Sequence, residues 1–366
     1  MKKSTAATYK PIPINSVKIN GWLEQQSLLA MQGFIGSLPL ISKEVWSDVF
    51  ATGQLGLKSA YGTGNNVAKV EWWNGESEGN WLIGWIGHVL LHGKTAEIEQ
   101  VRTYLNRILS TQGADGYIGM FTAEARATRN FIVGDLWTQS RAILALQLWA
   151  DYWNDNKIRD CVSKALDYTI NRYRKSDKDL RFNAPSGDSC GAGHDLMFMD
   201  ALAEQSRQTG DLRFIEFGRE LYADYSAGIM DWHETDGQLQ TLLSDEPIVG
   251  HGAHAVEFLR VPLALAEHLG DEQYFAAFKN GMAKIERAIG IGGGVVQDLA
   301  TFVSHIYYRG ISWRFVPTTL LSQADSCIGA KCALNIEGHK NQIGVIHTPM
   351  AVDIYPSFLK SLPLSE

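Results

Sequence analysis

The chain has 366 residues, 45% of them hydrophobic and 20% charged, enough for one large repetitive domain or two ordinary ones. A net charge of −7 argues against a nucleic-acid partner, because neutralising phosphates needs a basic face. No window is long and apolar enough to span a membrane, so none is expected as a partner. Four cysteines, Cys161, Cys190, Cys327 and Cys332, are too few for a disulfide framework and fit a reducing compartment. The basic opening Met1-Lys2-Lys3 has no apolar region behind it, so the expected location is the cytoplasm, or else a signal has been trimmed.

Along the chain, turn residues recur roughly every 60 positions. They fall at His92-Gly93-Lys94, Asn154-Asp155-Asn156, Gly210-Asp211 and Gly270-Asp271. After each comes a one-faced helical pattern. Ile98, Val101, Leu105, Ile108 and Leu109 show it first, then Phe214, Phe217, Leu221 and Tyr225, then Phe275, Phe278, Met282, Ile285 and Ile289. The stretches before the turns, such as 141–153 and 196–207, are apolar over more of their surface. Outer helices are covered on one side and inner helices on both, so the alternation predicts helical hairpins in two concentric rings. The expected fold is all-α, an (α/α)6-type toroid, with a short irregular or β-containing C-terminal tail. Domain limits are expected at 1–290 for the toroid and 291–366 for a divergent segment completing or packing on it. The period is lost at Gly292-Gly293-Gly294, and 343–354, rich in β-branched residues, predicts a short strand or poorly ordered chain.

Polar residues collect at the starts of the inner helices. The window Glu71-Trp72-Trp73-Asn74-Gly75-Glu76-Ser77-Glu78-Gly79-Asn80-Trp81 sets carboxylates beside aromatic rings. Helix capping is one explanation; a polyol site, in which rings stack and carboxylates accept from hydroxyls, is the other. Tyr117 follows in a glycine-rich loop, and Asp135-Leu136-Trp137 opens the next inner helix. Gly193-His194 and Gly250-His251 repeat the theme in later units. Equivalent positions of successive hairpins converge on one end of a toroid, where long loops carry sites. Eleven Trp, thirteen Tyr and fourteen Phe supply platforms for sugar rings, or simply core filling.

With these phrases in order, and with the entry Lys18-Ile19-Asn20-Gly21-Trp22-Leu23, the chain resembles the β-L-arabinofuranosidase-type, family-127-like glycoside hydrolases over about residues 12–290. The resemblance implies an (α/α)6 barrel that hydrolyses glycosidic bonds in plant-type or bacterial glycans, with a carbohydrate substrate as partner. It implies that His194 and His251 line the sugar pocket and that Cys327 stands nearest the family's nucleophile. If that cysteine chemistry has been lost, the carboxylates Glu76, Glu78 and Asp135 are the expected catalytic groups, and Trp73, Trp81, Tyr117 and Trp137 are expected as substrate contacts from their place beside the polar loops. In that family a zinc-held cysteine is the nucleophile. Here Asp325-Ser326-Cys327 is followed by Cys332 but by no adjacent cysteine pair, so zinc through Cys327 and Cys332 is not expected, nor any other cofactor. Competing expectations are a non-catalytic carbohydrate-binding relative and an α/α-toroid uronide lyase or epimerase.

Overall fold

The computed structural model describes residues 12, 14–41, 50, 72–128, 134–174, 192–228, 235–249, 252–285, 287–307, 310–336 and 339–361. The chain divides into two compact units, Met1–Phe278 and Lys279–Glu366. Among the described residues no helix is long and apolar enough to cross a membrane.

The first unit is all-α, of the α/α-toroid type. Its described helices are α1 (Gly21–Gln32), α2 (Phe34–Ile41), α3 (Trp72–His92), α4 (Thr95–Ser110), α5 (Ala123–Thr128), α6 (Asp135–Trp153), α7 (Asn156–Arg174), α8 (Ala192–Asp195), α9 (Phe198–Thr209), α10 (Arg213–Ala227), α11 (Leu239–Leu243) and α12 (Gly252–Leu269), and the boundary at Phe278 falls within α13 (Glu272–Ile285). The four turn sites are the reversals between consecutive long helices. Gly93, Asn154, Gly210 and Gly270 all carry positive φ, between 55° and 74°. That left-handed residue ends a helix and lets its last carbonyls find donors, and glycine adopts it without a Cβ clash.

Burial separates the two kinds of helix. In α6 every residue from Asp135 to Ile143 is buried, polar ones included. In α7, after the turn, only the stripe Ile158, Val162, Ala165, Leu166, Thr169, Ile170 and Tyr173 is buried. The stripes of α4 (Val101, Tyr104, Leu105, Ile108) and α10 (Phe214, Phe217, Leu221, Tyr225) behave as α7 does. Both kinds feed one core, in which Trp137, Trp149, Phe198 and Phe214 are among the largest fully buried side chains.

The helical pattern expected to run through Ile289 stops sooner. Helix α13 ends at Ile285, and Arg287–Gly292 is strand β1. The second unit continues as α14 (Gly294–Ile306), β2 (Ser312–Pro317), α15 (Leu320–Ala324), β3 (Lys331–Ile336), β4 (His339–Ile346) and β5 (Ala351–Val352). Strand β1 pairs with β2 in parallel, Gly292 opposite Pro317, and β2 pairs with β5 in parallel. Two parallel strands joined through a helix make a β-α-β unit. Strands β3 and β4 form a separate antiparallel hairpin. A small core of Trp313, Phe315 and Cys327 fills the space under the parallel sheet, with Ala300 of α14 and Val352 of β5 packed on it.

Candidate functional site

Among the described residues, polar groups concentrate around the start of α6 in the first unit and around the start of α14 in the second. Asp135 is fully buried and accepts hydrogen bonds from the Tyr117 and Tyr173 hydroxyls, each at 2.8 Å. Burial raises its carboxyl above the usual range, and the two tyrosine hydroxyls pull against that rise. Asp195, from the following hairpin, accepts from the Gly134 and Trp137 amides at 2.8 and 2.7 Å. It therefore caps α6 from a different element. Burial holds the Asp195 carboxyl well above its ordinary value, against the pull of those amides.

The neighbouring groups are just as enclosed. Glu78 is fully buried and accepts from the Tyr104 hydroxyl at 2.5 Å. The Trp81 indole donates to the Ile35 carbonyl at 2.8 Å, and its ring stacks on Trp85 at 4.9 Å. Tyr117 is buried beneath the Arg126 guanidinium, 3.8 Å from its ring centre. These side chains are occupied by one another.

A second group is more open. The His194 ring meets Trp137 edge-on at 4.6 Å and His254 at 4.1 Å, with its Nδ1 3.9 Å from Glu257 Oε2. Glu76 is raised by burial first and by the Glu257 charge second, while Arg141 opposes both. Arg141 lies 5.0 Å from the Trp137 ring and pairs with Asp200 at 3.0 Å. So the structure brings Glu76, Trp137 and His194 into one neighbourhood with Arg141 and Glu257. The Trp73 side chain and all of His251 lie outside the described residues. Cys327 belongs to the second unit, where its thiol donates to the Gln323 carbonyl at 3.4 Å. The Cys332 thiol donates instead to the Asp298 carbonyl at 3.0 Å. Among the described residues no three His, Cys, Asp or Glu side chains are grouped to hold a metal ion.

In the second unit the polar feature is backbone. Strand β1 ends in Gly290-Ile291-Gly292, Gly293 makes the turn, and α14 starts on Gly294. A Cβ at Gly292 would fall 2.5 Å from Val296 Cγ2, and one at Gly293 would fall 2.9 Å from Thr319 Cγ2. Only glycine lets strand, turn and helix approach this closely. A Cβ at Gly294 would meet nothing within 4 Å, so the first turn of α14 faces open space. Gly293, the N-cap residue, has no side chain to cap the helix, and no acidic residue stands in the first turn. The helix thus presents its leading amides and the positive end of its dipole, which is how proteins receive phosphate groups.

The end of β2 joins this turn. The Thr318 amide donates to the Gly292 carbonyl at 2.9 Å, and Thr319 caps α15 by a reciprocal pair of bonds with Ser322. Gln297 and Ser326 also bond reciprocally, at 2.5 and 2.8 Å, and Asp298 Oδ1 accepts from the Ala333 amide at 3.2 Å. The first turns of α14 therefore anchor both the turn and the β3–β4 hairpin. This turn is not among the sequence-predicted site residues; in the sequence it marks the end of the repeat. The available signal was a short β-branched run, a cluster of glycines, an amphipathic helix of 13 residues and a second β run.

Comparison with known proteins separates the two units in the same way. Residues 270–366 match the sequence model "3-dehydroquinate synthase N-terminal". The 3-dehydroquinate synthase of Sulfurisphaera tokodaii is 37% identical over 119 residues, covering 31% of this chain and 34% of that protein. That of Natranaerobius thermophilus is 53% identical over 78 residues, 21% of each. The chain spans about a third or less of the length of these relatives. Among solved structures, a GH127 β-arabinofuranosidase aligns over 76% of this chain and 44% of its own, with a TM-score of 0.55 and 15% identity. That likeness is one of fold.

The expectation of a glycoside hydrolase, with its carbohydrate-binding and lyase or epimerase alternatives, is therefore overturned. The family match and the curated relatives carry a different enzyme name, 3-dehydroquinate synthase. Among the phrases that carry the resemblance, Gly270 is a left-handed turn residue, the Trp137 amide donates to the Asp195 cap, and Tyr117 donates to Asp135. The stretch from 270 to 366 is similar to the N-terminal part of 3-dehydroquinate synthases.

Proposed function

We propose that the second unit is the dinucleotide-holding part of a 3-dehydroquinate synthase-type sugar-phosphate cyclase, with NAD+ as the dinucleotide. The observation that carries this reading is the strand–glycine turn–helix at 290–294, standing at the C-terminal ends of two parallel strands. Open parallel sheets bind dinucleotides at that end, with the pyrophosphate on the helix N-terminus. The match of residues 270–366 supports the choice of enzyme class. The turn fits the group, because Gly294 leaves the approach to the α14 amides unobstructed.

In this reading the α14 backbone binds and orients the pyrophosphate. The glycines at 292 and 293 hold the helix end against β1 and the Thr318-Thr319 segment. The bound dinucleotide supplies hydride transfer; the residues described here supply its seat. A metal ion accompanying the dinucleotide would find no group of three His, Cys, Asp or Glu side chains among the described residues.

Calorimetric titration of the full chain with NAD+ tests the proposal. Replacing Gly294 with Asp keeps the fold, because a carboxylate at a helix N-terminus is favourable, yet it sets a negative charge where the pyrophosphate would lie. The expected result is saturable binding that Gly294→Asp weakens at least tenfold without lowering the melting temperature. Absence of NAD+ binding, or equal affinity in the variant, overturns the reading.

A further inference from the structure

We propose that His305 and His347 form a two-histidine half-site for a zinc ion on the surface of the second unit. This inference does not rest on the dinucleotide reading. His305 stands in the last turn of α14 and is exposed; His347 follows β4 and is half-buried. Their ring centres lie 5.3 Å apart, with 63° between the planes.

The spacing is what a shared ion requires. Zinc bound about 2.0–2.1 Å from a ring nitrogen sits about 3.2 Å from that ring's centre, and two rings at a tetrahedral angle are then about 5.2 Å apart. An octahedral right angle would bring the centres to about 4.5 Å, so the observed 5.3 Å fits tetrahedral sharing better than octahedral. Two further facts point to a ligand. His347 Nε2 is shielded from solvent and has no hydrogen-bond partner among the described residues, a costly state for a ring nitrogen. The two rings also sit on elements whose relation is fixed before any ion arrives. The His347 amide donates to the Ala330 carbonyl at 2.9 Å, β4 pairs with β3, and Asp298 of α14 holds β3 through the Cys332 thiol and the Ala333 amide. A preorganised pair loses little entropy on binding.

Two protein ligands leave the remaining positions to water, on the side where His305 opens to solvent. Such a site binds divalent transition metals more weakly than a closed four-ligand cage. Its ring nitrogens ligate through their lone pairs, so the ion competes with protons for them. The competing reading is a plain edge-to-face ring contact, which needs no metal.

Titrating the full chain with zinc alone at near-neutral pH distinguishes the two. The expected result is one ion per chain, with affinity at least tenfold weaker in His305→Ala and in His347→Gln and unchanged in His339→Ala, an exposed histidine at the start of β4. His305 is exposed, so its replacement leaves the fold intact and the result interpretable. Failure of the wild-type chain to bind zinc, or undiminished affinity in His305→Ala, overturns the proposal in favour of the ring contact.

Discussion

The start of α6 and the start of α14 are both helix N-termini, and they satisfy their leading amides in opposite ways. At α6, Asp195 reaches across from the next hairpin and takes the Gly134 and Trp137 amides. At α14 the N-cap is a glycine, the first turn has no carboxylate, and the space in front is open. The contrast separates a helix end that has been closed for stability from one left able to receive an anion. Conspicuous carboxylates mark the closed end here, and a row of side-chain-free residues marks the open one.

Variants at the two ends should break this contrast in different currencies. The largest effect is expected from Gly292→Val, whose branched side chain collides with Val296. Overpacking of this kind costs about 1–3 kcal/mol, and the displaced turn should weaken NAD+ binding about a hundredfold, read by calorimetry. Next is Asp195→Ala, which strands two buried amides at about 1–3 kcal/mol each. Urea unfolding should show the first unit destabilised by roughly 3 kcal/mol, with NAD+ affinity unchanged under conditions where the chain remains folded. A smaller loss, about 1–2 kcal/mol, is expected from Tyr104→Phe, which removes the hydroxyl that donates to Glu78.

The smallest effect concerns pH. Burial and Glu257 raise the Glu76 carboxyl in the folded chain, so the folded state holds its proton more tightly than the unfolded state. Between the unfolded and folded values the native state binds more protons, and stability therefore falls as pH rises through that window. Glu76→Gln removes this loss. The variant should melt slightly higher than wild type at neutral pH, and the two should converge as pH falls below the ordinary carboxylate range.

Much of the toroid was legible because its signals are local. A left-handed residue after each inner helix and a one-faced stripe after each turn are written within a few residues of one another, as at Gly210 and Phe214–Tyr225. Ile289 shows where locality fails. It stands four residues after Ile285 and continues the helical spacing, yet strand pairing with Arg314, far along the chain, decides its conformation. The same limit applies to the carboxylates. Asp135 and Glu78 look like site residues at a loop–helix junction, but the tyrosines that occupy them, Tyr173 and Tyr104, come from other helices. The glycine turn needed no distant partner to be seen, only attention to a strand–glycine–helix pattern instead of to the end of a repeat.

The most direct test of the central claim is amide hydrogen exchange across the full chain with and without NAD+. The account predicts that bound NAD+ slows exchange in the segment spanning 290–300, at the first turns of α14, and leaves the helices around Asp135 unchanged. Protection that appears around α6 while 290–300 exchanges at its unliganded rate would contradict it.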